Sequence, residues 1–254
     1  MFTDRVKVLR VARPAEAQLG MQAQIQLHLS GLGLPAAPVL RQGTLPGGQA
    51  FTLELQGAGD GQPPSPAGWG ALGRVLGTLH ALTGPGSGRL LDRSEGPLGS
   101  AATPELGVLS RLPEVWPLGS LPLRGQPLTQ GAPDLWASLA RQEAEVRRVV
   151  RQAPGLVHTD LHGGQLVWRR GRLAALLDFG DAARGVRVWD VASIALFHGW
   201  RTARHVAGAA GGLAVRDAAA FGLLLAQHRA RLAQNQAARE RAAAYVWSCL
   251  ARIR

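Results

Sequence analysis

The stretch GLVHTDLHGGQLVWRRGRLAALLDFGD, residues 155–181, decides the prediction of the fold. Two short apolar runs flank a turn at Gly171, a pattern typical of a β-hairpin. Such a hairpin brings Gln165, at the start of its first strand, near Asp178, at the end of its second. Asp160 lies in the loop just before the hairpin. Three oxygen-bearing side chains can therefore converge, as magnesium-assisted phosphoryl transfer requires.

This run resembles the His-x-Asp-x-x-x-x-Asn catalytic loop and the Asp-Phe-Gly metal motif of aminoglycoside phosphotransferases and choline kinase-like small-molecule kinases. His158, Asp160 and Asp178 match these motifs outright. Residues 189–192, WDVA, resemble the family's Trp-Asp-Leu-Ala helix start, and residues 72–80, LGRVLGTLH, match as well. The resemblance runs in order over most of the chain. It implies an α+β, two-lobed, protein-kinase-like fold with a small strand-rich N-lobe and a larger, mainly helical C-lobe.

The resemblance also implies roles for the residues of the hairpin region. Asp160 would accept the proton of the attacking hydroxyl or orient it, and Asp178 and Gln165 would hold Mg²⁺. His158 belongs to the catalytic motif, where it is expected to brace the loop by hydrogen bonds, as is His162. A residue of the helix start, Asp190, is expected to be a helix cap or a structural partner of the loop.

By the same likeness the first lobe would bind ATP. Arg10 stands where the family places its phosphate-pairing lysine, and Lys7 is the nearby alternative. Arg keeps the charge of Lys but changes its shape. The helix offers Gln22 where the family has a partner Glu. The segment that resembles the hinge, whose backbone would pair with adenine, consists of Glu54, Leu55, Gln56 and Gly57.

Two departures from the family pattern leave alternatives open. Gln165 stands in place of the family's Asn and adds one methylene to a ligand of a metal that demands close octahedral distances. The family also has a hairpin and a phosphate-covering loop before the strand assigned to 6–11, where almost nothing precedes it here. The protein is therefore an active kinase that starts upstream or has a shortened lobe, or a weak or inactive kinase-fold protein that binds a ligand or partner.

The spacing of apolar residues and the positions of Gly and Pro predict the order of elements along the chain. They indicate strands at 6–11 and 49–55, helices at 15–29, from 69 and from 133, and a mostly helical segment at 191–253. A Pro-rich linker at 60–66 places a lobe boundary near residue 58, which gives an N-lobe of residues 1–57 and a C-lobe of residues 58–254. Residues 84–132 show little periodicity and remain without an assignment.

Composition limits the class of protein. The 254 residues are 46% hydrophobic and 18% charged, which predicts a packed fold. No apolar stretch is long enough to cross a bilayer, the first residues are charged, and Cys249 is the single cysteine, so we expect a cytoplasmic protein without membrane association. The net charge of +11 comes almost entirely from scattered arginines, which disfavours nucleic acid as a partner.

The charge of the last helical segment bears on the substrate. After Val191 there are nine arginines against Asp217 and Glu240, a formal charge of +7. Relatives that bind polycationic aminoglycosides present carboxylates from this lobe. We therefore expect a small molecule with a hydroxyl acceptor that is neutral or anionic, although these arginines could equally be solvated helix faces.

Overall fold

The structure, a computed structural model, describes residues 5–12, 19–57, 59–91, 96–130 and 132–253. Its N-terminal part consists of β1 (Arg5–Val11), α1 (Leu19–Gly31), β2 (Val39–Thr44) and β3 (Ala50–Gly57). The three strands form an antiparallel sheet in the order β1-β3-β2, and α1 packs against β2 and β3. The predicted strands at 6–11 and 49–55 are confirmed. The first residues of the helix predicted at 15–29 lie outside the described residues.

The register of β1 and β3 decides which side chains share a face. Arg10 pairs with Thr52, and Val8 pairs with Glu54. Because side chains alternate along a strand, Arg10 and Glu54 lie on the same face of the sheet, and Lys7 lies on the other. Strand β2 was not predicted, because its residues are largely exposed and so lack the apolar alternation that marks a strand.

The remaining elements form a larger, mainly helical part. They are α2 (Pro66–Ala81), β4 (Ser87–Leu91), β5 (Leu98–Ala101), α3 (Pro104–Leu109), α4 (Pro133–Ala140), α5 (Glu143–Val150), β6 (Pro154–Val157), β7 (Leu166–Arg169), β8 (Arg172–Leu176), β9 (Ala183–Val186), α6 (Val188–Ala209), α7 (Val215–Leu232) and α8 (Gln236–Ile253). The helical segment predicted at 191–253 is confirmed as three helices that pack on one another. Where one helix was expected from Pro133, the structure has two.

The segment at 84–132 carries structure that the sequence did not reveal. Its strands β4 and β5 join β9 and β6 in a four-stranded sheet of order β5-β4-β9-β6. Gly88 pairs with Arg184, which is nearly a hundred residues away, so the strand depends on a distant partner. Short, glycine-containing strands that pair over such separations give no local period.

The predicted hairpin of β7 and β8 lies between the two parts of the molecule. The amide of Leu176 in β8 donates to Pro35 O, in the loop after α1, at 2.8 Å. On the other side, the linker after β3 is held by Asp60, whose Oδ2 accepts from the amide of Arg170 at 2.6 Å. Within the ranges that the structure describes, no helix has the length and apolar character needed to span a membrane.

Candidate active site

The loop that carries Asp160 is fastened to α6 by a buried carboxylate. Asp190, in the first turn of α6, is fully buried. It accepts the amide of His158 at 3.1 Å and the amide of Thr159 at 2.8 Å. Of its two expected roles, Asp190 therefore fulfils that of a structural partner of the loop, and Arg187 occupies the helix cap position. Two ionic hydrogen bonds to consecutive amides fix the backbone that precedes Asp160.

The residue before Asp160 has a strained backbone. Thr159 has φ +73°, in the left-handed region that a β-branched residue rarely adopts. Its hydroxyl donates to Asp181 O at 2.8 Å, which joins the loop to the segment after the hairpin. A conformation of this kind persists only where surrounding contacts enforce it, and such positions cluster at functional sites.

His158 is buried beneath the loop. Its Nε2 lies 2.8 Å from Leu177 O, and its ring centroid lies 5.1 Å from that of Phe179. The side chain thus links the loop before Asp160 to the end of β8. This placement is that of a bracing residue, and the ring does not reach the surface at which a substrate could bind.

Asp178 is where the hairpin, β1 and the loop after β8 meet. Arg10 Nη1 lies 3.3 Å from Asp178 Oδ1, and Gln165 Nε2 lies 3.4 Å from Oδ2. The amide of Gly180 donates to Oδ1 at 3.3 Å, and Asp178 itself has φ +56°. Of the residues selected from the sequence, the structure therefore brings Arg10, Gln165 and Asp178 together, each through long and weak contacts.

His162 connects this group to Asp160. Its Nδ1 accepts the amide of Gly164 at 3.0 Å, so in the neutral ring Nε2 carries the hydrogen. That Nε2 lies 3.5 Å from Asp160 Oδ2 and 3.2 Å from Gln165 Nε2. Two donors do not bond each other, and rotating the Gln165 amide, which exchanges its oxygen and nitrogen, lets it accept from His162. The rotation also replaces the donation to Asp178 Oδ2 with two facing oxygens, an arrangement that a cation between them would stabilise. The amide oxygen then faces both His162 and Asp178.

The residues present fit a magnesium ion that is held partly by a nucleotide. With the amide of Gln165 rotated, Asp178 and Gln165 offer oxygen atoms to the same place. Mg²⁺ is usually bound by one or two side-chain ligands together with substrate phosphates and water. Within the described ranges, no group of three or more His, Cys, Asp or Glu residues forms an all-protein metal site. A metal at this place would therefore depend on the phosphates for most of its ligands.

Arg10 is held by a buried carboxylate from the neighbouring strand. Its Nε lies 3.5 Å from Oε2 of Glu54, whose side chain is 1% exposed. Thr52 donates its hydroxyl to Glu54 Oε1 at 3.1 Å. Gln22, which the sequence suggested as the partner of Arg10, is buried on α1, and its amide lies beside Gly180. The carboxylate next to Arg10 thus comes from β3 and not from the helix.

The other residues chosen for nucleotide binding lie along β1 and β3. Lys7 is exposed and lies on the face of β1 opposite to Arg10. Leu55 uses its amide inside the sheet, where it donates to Pro38 O at 2.9 Å. Gln56 pairs with Val6 of β1. Strand β3 also contacts β8 of the hairpin.

A cavity of about 200 Å³ lies beside Asp160. It is lined by the loop, α6, α7 and the segment after α3, through Arg111, Leu112, Thr159, Asp160, Asp181, Trp189, Ser193, Leu196, Phe197, Leu225, His228, Arg229 and Leu232. Arg229 Nη2 lies 3.4 Å from Asp160 Oδ1, and Arg111 forms an ion pair with Asp181.

Sequence reasoning did not single out Arg111, His228 or Arg229 as site residues. For Arg229 a signal exists: it is four residues after Leu225 and three before Leu232, so it lies on the same side of α7 as two apolar residues. A charged residue on an apolar helix face is unusual enough to mark a site. Arg111 gives no comparable signal, because it lies in an irregular segment.

A second cavity, of about 660 Å³, lies away from this chemistry. It is bounded by the loop after α1, by α2 and by the β7–β8 hairpin, and four arginines line it: Arg74, Arg169, Arg170 and Arg172. None of the residues that surround Asp160 or Asp178 contributes to its walls. The smaller cavity beside Asp160 is therefore the candidate for the reacting substrate.

The fold and this site define a kinase-like phosphotransferase. The model of the phosphotransferase enzyme family, APH, matches residues 2–245, so the chain belongs to that family. The predicted family and the two-lobed, protein-kinase-like fold are thereby confirmed. Comparison with curated protein sequences gave no significant match.

Solved structures share the fold at low sequence identity. A thermostable mutant of aminoglycoside phosphotransferase APH(4)-Ia, in complex with ADP and hygromycin B, has a TM-score of 0.62 and 16% identity over 97% of this chain and 86% of that one. Aminoglycoside 2'-phosphotransferase-IIIa with GDP has a TM-score of 0.59 and 18% identity over 96% and 86%. A Haemophilus somnus 129PT protein assigned as a fructosamine-3-kinase has a TM-score of 0.57 and 14% identity over 96% and 83%.

Proposed function

We propose that the protein transfers the γ-phosphoryl group of ATP, with Mg²⁺, to a hydroxyl of a small neutral or anionic molecule. The observation that carries this proposal is the position of Asp160, which lines a cavity of about 200 Å³ and stands in a row with His162, Gln165 and Asp178, at successive distances of 3.5, 3.2 and 3.4 Å. One end of this group suits an acceptor hydroxyl and the other suits a metal-bound triphosphate. Because ATP is abundant in the cytoplasm, the reaction is proposed to occur there.

In the proposed reaction the acceptor oxygen attacks the γ-phosphorus, and the bond from that phosphorus to the β–γ bridging oxygen breaks. The hydroxyl proton passes to the carboxylate of Asp160, and the products are a phosphate ester and ADP. Mg²⁺ would be held by Asp178 and Gln165 and would neutralise charge on the phosphates. His162 Nε2 lies 3.5 Å from Asp160 Oδ2 and so limits the positions that this carboxylate can take.

The nucleotide is proposed to bind along β1 and the end of β3. Arg10 can turn its guanidinium from Asp178 to the phosphates, since its contact with Asp178 is long and a metal would compete for the same carboxylate. The carboxylate of Glu54 holds Arg10 through its contact with Nε. The backbone of the segment from Glu54 to Gly57, with Leu55 and Gln56 between them, is proposed to pair with adenine. Lys7 lies on the opposite face of β1, so Arg10 is the better candidate for the phosphates.

The test is to measure binding and transfer separately. A rise in the thermal midpoint with ATP that requires Mg²⁺ supports the proposed metal site, because a ligand that binds the native state stabilises it. GTP should be measured in parallel. Phosphorylation of hydroxylated metabolites should fall by about 100-fold or more in Asp160→Asn, the usual effect of losing an acid–base group. The matched control is Asp134→Asn, which changes an exposed aspartate of α4.

The outcomes also separate the second hypothesis, a weak or inactive kinase-fold protein. Transfer that is unchanged in Asp160→Asn contradicts the proposed role of that residue. If neither ATP nor GTP shifts the thermal midpoint at millimolar concentration, the protein does not act as a kinase. Nucleotide binding without transfer to any acceptor would favour a binding role.

A further inference from the structure

The cavity beside Asp160 has a cationic side formed by α7 and the segment after α3. Arg229 and His228 come from α7, and Arg111 comes from the segment that follows α3. Asp160 and Asp181 contribute the opposite charge. An acceptor in this cavity would therefore contact a carboxylate that can take its proton and, a few ångströms away, guanidinium groups that can bind an anion.

Arg229 is weakly held and can change partners. Its Nη2 lies 3.4 Å from Asp160 Oδ1, at the long end of hydrogen bonds, and its side chain is 43% exposed. Its guanidinium carbon lies 4.9 Å from the centroid of the Phe197 ring, which supports the planar group from one side. An anion that enters the cavity can thus take donors of Arg229 without moving the rest of the side chain.

One N–H donor of Arg111 has no acceptor within the described part of the chain. Its side chain is 11% exposed and forms an ion pair with Asp181, which is itself 53% exposed. Its Nε is buried and has no hydrogen-bond partner among the residues that the structure describes. Because this Nε is shielded from solvent, a ligand in the cavity would bind the exposed part of the guanidinium, which Asp181 also contacts.

Three arginines lie close to His228, beside the cavity. Burial lowers the pKa of His228, and Arg229, Arg231 and Arg111 lower it further. Arg229 and Arg111 are offset in part by Asp160 and Asp181, and Arg231 adds a further positive charge nearby, so this side of the cavity has an excess of positive charge. The amino groups of a polycationic acceptor would be repelled here, whereas a negatively charged group would be attracted.

We propose that the acceptor carries an anionic group, a carboxylate or a phosphate, which binds Arg229 and Arg111 while a hydroxyl of the same molecule faces Asp160. This inference rests on the proposed function and names its substrate class. When the anion takes over Arg229, Asp160 loses its guanidinium partner and is free to accept the hydroxyl proton. Acceptor binding and the release of the proton acceptor are thereby coupled in one step.

The experiment uses four hexoses that differ mainly in charge: glucuronate, glucose 6-phosphate, glucose and glucosamine. The thermal midpoint of the full chain is measured with each sugar at about 10 mM, with and without Mg–ADP. The expected result is a shift by at least one of the two anions that exceeds the shift by glucose, with glucosamine giving the smallest. Whichever of glucuronate and glucose 6-phosphate binds more tightly identifies the preferred anion.

Substitutions test whether the preference for anionic sugars arises in the cavity beside Asp160. In Arg229→Ala the affinity for the preferred anion should fall by about tenfold or more, the usual loss for a hydrogen bond to a charged group, while the affinity for glucose should stay within about twofold. Arg229→Glu should bind glucosamine better than either anion. Arg239→Ala, which removes the same charge from an exposed position of α8, should keep the wild-type order.

Three results would overturn the inference: glucosamine binding as well as the anions, neither anion binding, or an unchanged preference in Arg229→Ala. Failure here is distinguishable from failure of the proposed function. If Mg–ATP raises the thermal midpoint but the anions do not, only the acceptor class is wrong. If the nucleotides do not bind, the proposed kinase activity is wrong, and the anion preference can still be measured without Mg–ADP.

Discussion

His80 Nε2 lies 2.8 Å from Asp190 Oδ2, and both side chains are buried in the centre of the larger part of the molecule. His80 comes from the end of α2 and Asp190 from the start of α6, so the contact joins two helices that pack on each other. The same carboxylate holds the amides of His158 and Thr159. One buried side chain thus couples the helix packing to the geometry of the loop that presents Asp160.

Replacing Asp190 with Ala should therefore affect both stability and activity. The change leaves two buried amides and His80 without their acceptor, and each buried group left unsatisfied typically costs about 1–3 kcal/mol. Urea unfolding should show this loss, and any phosphoryl transfer should fall because Thr159 is no longer held in its strained conformation. Asp134→Ala, at an exposed position in the first turn of α4, should change stability by no more than about 1 kcal/mol. Equal effects of the two substitutions would contradict this role of Asp190.

Close packing of α2 on α6 depends on Gly73. A Cβ atom at this position would lie 2.6 Å from Ala209 Cβ and 2.6 Å from Val206 O. Gly73→Ala should destabilise the protein by about 1–3 kcal/mol, because the helices must separate to admit the methyl group. Gly208→Ala is the control on α6, since nothing lies within 4 Å of its added Cβ, and helix propensity should make it neutral or slightly stabilising. The urea midpoint should fall in Gly73→Ala and should stay level or rise slightly in Gly208→Ala.

Cys249 should be inert until the protein unfolds. The thiol is fully buried between α7 and α8, and burial raises its pKa to about 12, so almost none is thiolate at neutral pH. A disulfide reagent at about pH 8 should not react with the native protein within minutes and should react with one thiol in urea. In a Cys249→Ala background, Ala244→Cys places a thiol at an exposed position of α8 and should react rapidly. Rapid reaction of native Cys249 would show that the last two helices open locally.

Local sequence predicted the part of the site that one hairpin creates. Gln165 and Asp178 are thirteen residues apart and flank two antiparallel strands, and their contact at 3.4 Å follows from the turn and the register. The contacts of Arg10 with Asp178 and of Arg229 with Asp160 join distant segments, and no local pattern specifies them. The family resemblance suggested Arg10 but gave no indication of Arg229. Glu54 was assigned a backbone role, although its buried side chain next to Arg10 depends on strand pairing.

Stability should fall when the pH is lowered below neutrality, partly because of His228. Burial lowers its pKa from the ordinary value of 6.5, with added effects of Arg229, Arg231 and Arg111. The unfolded chain takes up a proton near pH 6.5 and the folded chain does so only at lower pH, so the stabilisation is complete above 6.5 and is lost as the pH falls. Thermal midpoints should decrease between about pH 7.5 and about pH 5.5.

Two variants test whether His228 causes the decrease of the thermal midpoint with falling pH. His228→Gln cannot take up this proton and should show a smaller decrease over the same range. His205→Gln, at an exposed position of α6, should keep the wild-type slope. His198, whose pKa burial also lowers, accounts for part of the slope that remains. Equal slopes for wild type and His228→Gln would show that His228 titrates normally in the folded protein.

Glu54 should matter for nucleotide binding although it is 1% exposed and cannot touch bulk solvent. Its Oε2 faces Arg10 Nε at 3.5 Å and has no hydrogen bond within the described part of the chain, so Arg10 is its main source of compensation for burial. Glu54→Gln keeps the shape and removes the charge, which leaves Arg10 less firmly oriented towards the phosphates. The dissociation constant for Mg–ATP should rise by about tenfold, the effect of one ionic hydrogen bond. Glu240→Gln, on the exposed side of α8, should bind Mg–ATP as the wild type does.

If Glu54→Gln binds Mg–ATP normally but Arg10→Ala does not, Arg10 contacts the nucleotide without needing Glu54. If both variants bind Mg–ATP normally, the phosphates lie elsewhere.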